Sequence, residues 1–410
     1  MAFPRRVVDM RASLRAEQRT LRQGLVALVL STAAGFVAGL TLAHFTDRLE
    51  LLPGLIVLIP AAVGMRGTIF GAIGARLGTA SAAGTFRPTL ARDGVLFRNV
   101  DVAILTTLSS SLWLAVLAKI TTVVLGQPSI SIWSFVTISV VGGVLGSALI
   151  LFVTVGLSVL SFRHGWDLDA VSTPMVTALG DMATLPTLFL ASVLIEVPAV
   201  NAIVSGLCLV AGLAGAVQAY RSKVPGVRRI AVEMNAIILL TPLLDVLAGG
   251  LLQGHEAQLI AVPTVLLIVP PFVSQAGALG GIFSSRIASK LQLGVIRPRG
   301  WPAPAVWLDA SLVVAFGLVV FTLIGVVALA LAVLTQLAHP GVGELIGGTL
   351  LAGGLTLPLM LVVSYEVAVW TTRFGLDPDN AGVPIITSVM DLAGIASLLF
   401  AMSVFGVTRA

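Results

Sequence analysis

Residues 167–181 read DLDAVSTPMVTALGD, and 210 positions later residues 377–391 read DPDNAGVPIITSVMD. The two stretches align without a gap. Asp167, Asp169, Pro174, Thr177 and Asp181 reappear as Asp377, Asp379, Pro384, Thr387 and Asp391. Just upstream, Arg163 and Gly165 match Arg373 and Gly375. Each stretch runs into an apolar segment that carries one carboxylate, Asp181 or Asp391, near mid-membrane depth if helical at ~1.5 Å per residue. A carboxylate there costs ~2.5–3.5 kcal/mol to insert, so its default reading is functional.

Composition sets the class. Of 410 residues 57% are apolar and 10% charged, against roughly 25% charged in a soluble domain. The mean hydropathy is +1.04. The expected fold is an all-α polytopic membrane protein. One cysteine, Cys208, lies in an apolar run and excludes a disulfide framework or a thiolate metal cluster. The net charge of +5 comes from loop arginines and does not mark a nucleic-acid surface. Residues 1–21 form a basic tail, and the run behind it lacks a close small-residue cleavage site, so it reads as a retained first helix.

Apolar runs long enough to span fall at about 22–44, 51–83, 100–124, 131–160, 170–196, 199–220, 232–253, 259–288, 306–337, 343–371 and 381–408, eleven by the ~20-residue criterion. With the amino terminus inside, the inner loops hold Arg87, Arg92, Arg98, Arg163, Arg221, Lys223, Arg228, Arg229, Lys290, Arg297, Arg299 and Arg373. The outer side keeps Arg48, Lys119 and Arg409. That bias predicts a plasma-membrane protein with a cytoplasmic amino terminus and an extracytoplasmic carboxy terminus.

The 210-residue offset extends to Pro53, Pro60, Gly67, Gly71, Arg76 and Arg87, which reappear as Pro263, Pro270, Gly277, Gly281, Arg286 and Arg297. The chain therefore divides into a five-helix repeat at 22–196, a linking helix and basic loop at 197–231, and a second five-helix repeat at 232–410. Five spans end opposite to where they began, and the linker brings the chain back. The repeats are expected to be parallel, with a pseudo-two-fold axis along the membrane normal and one copy of each motif facing it.

Asp181 and Asp391 facing one axis repel unless a cation or proton sits between them. Thr177 and Thr387 lie one helical turn earlier on the same face and add oxygen. An all-oxygen set without His or Cys suits a hard divalent ion, Mg²⁺ above all, which is transported as substrate. The plain alternative is two satisfied polar residues at helix contacts. Pro60, Gly67, Gly71, Pro270, Gln275, Gly277 and Gly281 are candidates to line the path, because irregular or closely approached backbone at depth is tolerated in protein or beside a cavity. GxxxG-type helix packing is the competing reading for the glycines. Asp167, Asp169, Asp377 and Asp379 form an acidic cytoplasmic mouth.

These motifs together resemble the membrane domain of MgtE-type magnesium channels, and the duplication resembles the related magnesium solute-carrier branch. The resemblance covers both halves. It implies that two five-helix units surround a central Mg²⁺ path, fused here into one chain that works as a monomeric pseudo-dimer among membrane lipids. It also implies that the fifth-helix aspartates, Asp181 and Asp391, are the metal ligands, with Thr177 and Thr387 supplying oxygen from the preceding turn. The chain departs from the family where Gly67 is followed by Thr68 and Gly277 by Ala278 in place of Gly-Asn, and where Leu168 and Ala170 replace Pro378 and Asn380.

The halves also differ in charge. Arg66 corresponds to Ala276, Gln275 to Met65, Asp245 to Gly35 and Glu366 to Gly156. Arg66, Asp245 and Glu366 are therefore candidate coupling residues for a Na⁺- or H⁺-coupled exchanger of Mg²⁺, Co²⁺ or Mn²⁺ on the same fold. For Arg66 the competing reading is an Arg–carboxylate pair that fixes packing. An intramembrane aspartyl protease is the remote enzymatic alternative, and neither aspartate sits in a GxGD motif. The chain is expected not to be an enzyme. The topology is checked by labelling intact cells with an impermeant maleimide in a Cys208→Ser background. His339→Cys is expected to react and Ser222→Cys to react only after lysis; the reverse pattern overturns the orientation.

Overall fold

The computed structural model describes residues 28–87, 89, 91, 94–164, 168–222, 227–297, 304–374 and 382–407. Everything described is helix or short connection. We label the helices α1 (Leu28–His44), α2 (Thr46–Leu51), α3 (Leu55–Ala82), α4 (Val95–Val124), α5 (Ile132–His164), α6 (Leu168–Ser192), α7 (Pro198–Arg221), α8 (Val227–Gly254), α9 (Glu256–Ala261), α10 (Pro263–Gln292), α11 (Pro304–Leu334), α12 (Val342–Phe374) and α13 (Val383–Val404). Ten are long and apolar enough to cross a membrane, and α1 adds a described apolar helix up to His44. The chain is a polytopic membrane protein.

The duplication is visible helix by helix. α2 and α9 are offset by 210 at both ends, as are α5 and α12, and α3, α4 and α10, α11 share the offset at their carboxyl ends. Two of the apolar runs are not single helices. The second begins with α2, which breaks at Leu52–Gly54, and its partner begins with α9, which breaks at Val262. In the first half the break is a backbone requirement: Gly54 takes φ +87°, a left-handed conformation that glycine adopts without a Cβ penalty. Prolines do not interrupt α3, α8, α10 or α12, although each contains one or two inside.

Within each half the long Pro/Gly helix, α3 or α10, packs on its own fifth helix, α6 or α13, and α5 and α12 close the bundle behind them. The first helix of each half is exchanged. α8 packs chiefly on α3 and also on α4 and α13, while α1 lies on α10. The contact points carry the symmetry. Gly39 faces the carbonyl of Leu267, and Gly249, its counterpart, faces Val57, the counterpart of Leu267. Position i of one half meets j of the other and j meets i, as a two-fold relation requires.

Lipid offers helices no hydrophobic reward for associating, so small residues that bring backbones together carry the interface. A Cβ on Gly249 would stand 2.5 Å from the Val57 carbonyl oxygen, and one on Gly35 2.6 Å from Pro271 Cα. Pro271 also removes the N–H that would bond the Leu267 carbonyl, and that freed oxygen is the one pressed against Gly39. α7 sits outside the pseudo-symmetric set, on α4 and α5, where Gly212 and Gly215 admit Leu112 and Leu108. Its opposite face shows Ile203, Leu207, Val210 and Val217 to lipid.

The exchanged contact predicts a stability result. Gly39→Val and Gly249→Val are each expected to destabilise the protein by about 1–3 kcal/mol, the usual cost of overpacking. Gly206→Ala, in open space on α7, is expected to keep or slightly raise the thermal midpoint, because alanine is the better helix former. Midpoints in detergent read out by size-exclusion chromatography check this; equal midpoints for all three variants would contradict the exchanged packing.

Candidate cation site between the halves

Asp181 lies midway along α6 and Asp391 in the first half of α13, both almost fully buried. Each is met by the Pro/Gly helix of the other half. Ser274 of α10 donates its hydroxyl to Asp181 Oδ2 at 3.2 Å and pairs with Ser31 of α1 at 2.7 Å. Position 64 of α3, the counterpart of Ser274, is glycine, and a Cβ there would stand 3.6 Å from Asp391 Oδ2. The same point lies 2.9 Å from Oδ2 of Asp245 on α8, so two carboxylates converge beside Gly64. Asp391 is close enough to feel the charge of both Asp245 and Asp181.

Asp245 is fully buried beside Ser388, and neither of its oxygens has a well-formed hydrogen bond among the described residues. Among the described residues no ion pair to it is found. Arg66, two residues beyond Gly64, turns to the other side of α3. It is 1% exposed, donates from Nη2 to the Gly142 carbonyl at 2.8 Å, and lies against Gly146, where a Cβ would stand 3.0 Å from its Cζ. Its Nε and Nη1 have no partner, and no ion pair to it is found among the described residues. The Arg–carboxylate pair considered for it does not form there. The helices behind it bury several hydroxyls: Thr106, Thr107, Ser110 and Ser111 of α4 and Ser139 and Ser147 of α5. The second half fills the matching positions on α11 with Phe316, Gly317, Val320 and Phe321.

The remaining candidates divide. Gln275 is buried, but its side chain turns to α1, donating to the Leu28 carbonyl at 2.9 Å. Gly277 and Gly281 receive α13: a Cβ on Gly277 would stand 3.0 Å from Thr387 Cγ2, and one on Gly281 3.9 Å from Val383. Thr387 Oγ1 donates to the Pro384 carbonyl of its own helix at 3.0 Å, so its methyl, not its hydroxyl, meets α10. Pro60 is buried inside α3 and Pro270 half-buried inside α10. Gly67 and Gly71 have no described neighbour within 4 Å of a would-be Cβ. The side chains of Thr177 and Asp169, and all of Asp167, Asp377 and Asp379, lie outside the described residues. Glu366 is on an exposed face of α12 and is not brought to the carboxylates.

Sequence reading did not single out Ser31, Gly64, Ser274 or Ser388. The register held the signal for one of them, since Gly64 and Ser274 differ at one repeat position just as Gly35 and Asp245 differ at another. Their meeting across the interface is not visible in either helix alone.

A comparison of the sequence with known families finds one pattern in both halves. The MgtE divalent cation transporter pattern matches residues 59–191 and again 269–401, two segments themselves offset by 210. The chain belongs to this family. No curated relative and no solved structure matches it. Both matched segments include the carboxylate-bearing helices, while positions 35 and 245 fall outside them. As a member of the MgtE family the chain is a divalent cation transporter with an internally duplicated membrane domain.

Arg66 gives a prediction of its own. Replacing a buried charge that has unpaired donors by an apolar side chain of similar volume is commonly neutral or stabilising. Arg66→Met is therefore expected to keep or raise the thermal midpoint. A fall of roughly 5 °C or more, on the order of 4 kcal/mol for a chain of this size, would show that the cation has a partner in the folded protein.

Proposed function

We propose that the protein carries Mg²⁺ across the plasma membrane through a path between the two repeats, with Asp181 and Asp391 contributing one carboxylate each. The supporting observation is that both aspartates are buried at the boundary of the halves, each against the other half's Pro/Gly helix, within electrostatic reach of one another. Like charges so placed are compatible with burial only with a cation or proton between them. The donors are oxygens throughout, and Mg²⁺ keeps most of its water and needs only one or two carboxylates. Co²⁺ and Mn²⁺ fit the same donor set.

In this reading the chain acts as a monomeric pseudo-dimer, since the two halves supply both copies of the site. The positive-inside bias supports a cytoplasmic amino terminus and puts the acidic segments at 167–169 and 377–379 at the inner mouth. Those acids would concentrate divalent ions there. Transport is the reading that membership of a divalent cation transporter family supports.

The test is Mg²⁺ flux into proteoliposomes, with and without Na⁺ and pH gradients. Asp181→Asn and Asp391→Asn are each expected to reduce flux by at least about 10-fold, the loss of a charged ligand being worth 1.4 kcal/mol or more. Unchanged flux in both well-folded variants would place the path elsewhere. Flux that follows a Na⁺ or proton gradient identifies an exchanger.

A further inference from the structure

We propose that Asp245 is a third carboxylate on the cation path, and that Asp245 and Asp391 together form a one-sided holding site for a divalent cation beside Gly64. The inference rests on the cation path proposed above. It concerns a residue that lies outside both segments matched by the family pattern and whose repeat counterpart is a glycine.

The argument begins with two substitutions between the halves that compensate in space. On the Asp181 side α10 presents Ser274, and the facing helix α1 presents Gly35, packed so closely on Pro271 that no side chain fits. On the Asp391 side α3 presents Gly64 and the facing helix α8 presents Asp245. A small polar side chain on one helix has given way to a larger one on its partner, and Gly64 leaves the space that Asp245 occupies. The chemistry is reversed. Ser274 donates a hydrogen bond to Asp181, whereas Asp245 adds a second acceptor next to Asp391.

An added acceptor needs a countercharge, and no cationic side chain supplies one among the described residues. α13 contributes Asp391 and Ser388, α6 contributes Asp181 beyond them, and α3 contributes Gly64 with Arg66 turned toward α5. Lys119 of α4 is held at Ser129 and the Ile130 carbonyl, away from the site. Both oxygens of Asp245 are buried with the Ser388 hydroxyl beside them, and neither makes a well-formed hydrogen bond among the described residues. Two carboxylates with unfilled oxygens a few ångströms apart suit a hard divalent ion that retains part of its water. No group of three acidic or imidazole side chains closes on one metal position among the described residues. Asp181, already bonded to Ser274, is thus a separate station, and the ion rests off the pseudo-symmetry axis.

The experiment measures Mn²⁺ binding to the full-length protein in nanodiscs by the loss of the free-ion paramagnetic resonance signal. Four proteins are compared with wild type: Asp245→Asn, the paired exchange Gly64→Ser with Asp245→Gly, Asp391→Asn and Asp181→Asn. The paired exchange rebuilds at Asp391 the Ser/Gly arrangement already present at Asp181, so it is expected to pack. Asp245→Asn keeps the volume if the exchange does not fold. Asp245→Asn, the exchange and Asp391→Asn are each expected to weaken Mn²⁺ binding by about 10-fold or more, because affinity at such sites follows ligand charge count. Asp181→Asn is expected to weaken it by roughly 3-fold or less, as removing a carboxylate outside the ligand set leaves that charge count intact. Weakened binding in Asp391→Asn with wild-type binding in Asp245→Asn overturns the third carboxylate alone. Wild-type binding in both Asp391→Asn and Asp181→Asn overturns the path itself, and equal losses from Asp181→Asn and Asp391→Asn overturn the one-sided site.

Discussion

The structure depends on close backbone contact between helices that lipid does not drive together. Gly39 against Leu267 and Gly249 against Val57 lock the first helix of each half onto the long Pro/Gly helix of the other. Because the contact is exchanged, the halves cannot separate without both losing their packing partners. The same interlock brings α6 and α13 to a shared boundary and so sets how near the aspartates come. Without it, each half would carry one buried carboxylate with no opposing one.

Duplication supplies the symmetry, and later divergence makes use of it unequally. The first half buries serines and threonines of α4 and α5 behind α3, and Arg66 lies against Gly142 and Gly146 of α5. The second half is apolar there, with Phe272 and Phe321 packed at 4.5 Å between ring centroids. Charge is balanced differently again at the end of α10 that carries Lys290, where buried Asp309 accepts from Arg286 at 3.0 Å and pairs with Lys290. The first-half counterpart of Asp309 is Asn99, which bonds its own helix at the Val95 carbonyl. Fusion of the two units into one chain is what permits this. In a dimer of identical units every change appears twice, so a positive charge behind one α3 would also stand behind the other.

The polar groups at the centre divide by what they lack. Asp181 has a donor in Ser274, and Thr387 satisfies its hydroxyl on its own helix. Asp245 has only the Ser388 hydroxyl beside it and no countercharge among the described residues, and Arg66 has donors without acceptors on the far side of the same helix. About half a turn of α3 separates an acceptor-rich surface from a donor-rich one. The helix therefore acts as a partition: its Gly64 face opens to carboxylates, and its Arg66 face turns toward α5.

Much of this was legible in the residues. Span number, the 210-residue repeat, the parallel arrangement and the buried aspartates follow from hydropathy, register and helix parity, because membrane insertion forces long apolar runs and penalises every buried charge. The sequence by itself determined that two carboxylates lie at depth on equivalent helices, and that Asp245, Arg66 and Glu366 break the repeat. It did not show α2 and α9, which hide inside runs apolar enough to be read through. Only the tertiary structure decided that Asp245 joins Asp391 while Glu366 faces outward, that Arg66 turns away, and that Ser274 serves Asp181. Those outcomes depend on which face of one helix meets which face of another across the exchanged interface. That pairing is set by glycine-to-backbone contacts between residues some 200 positions apart, and no local pattern encodes it.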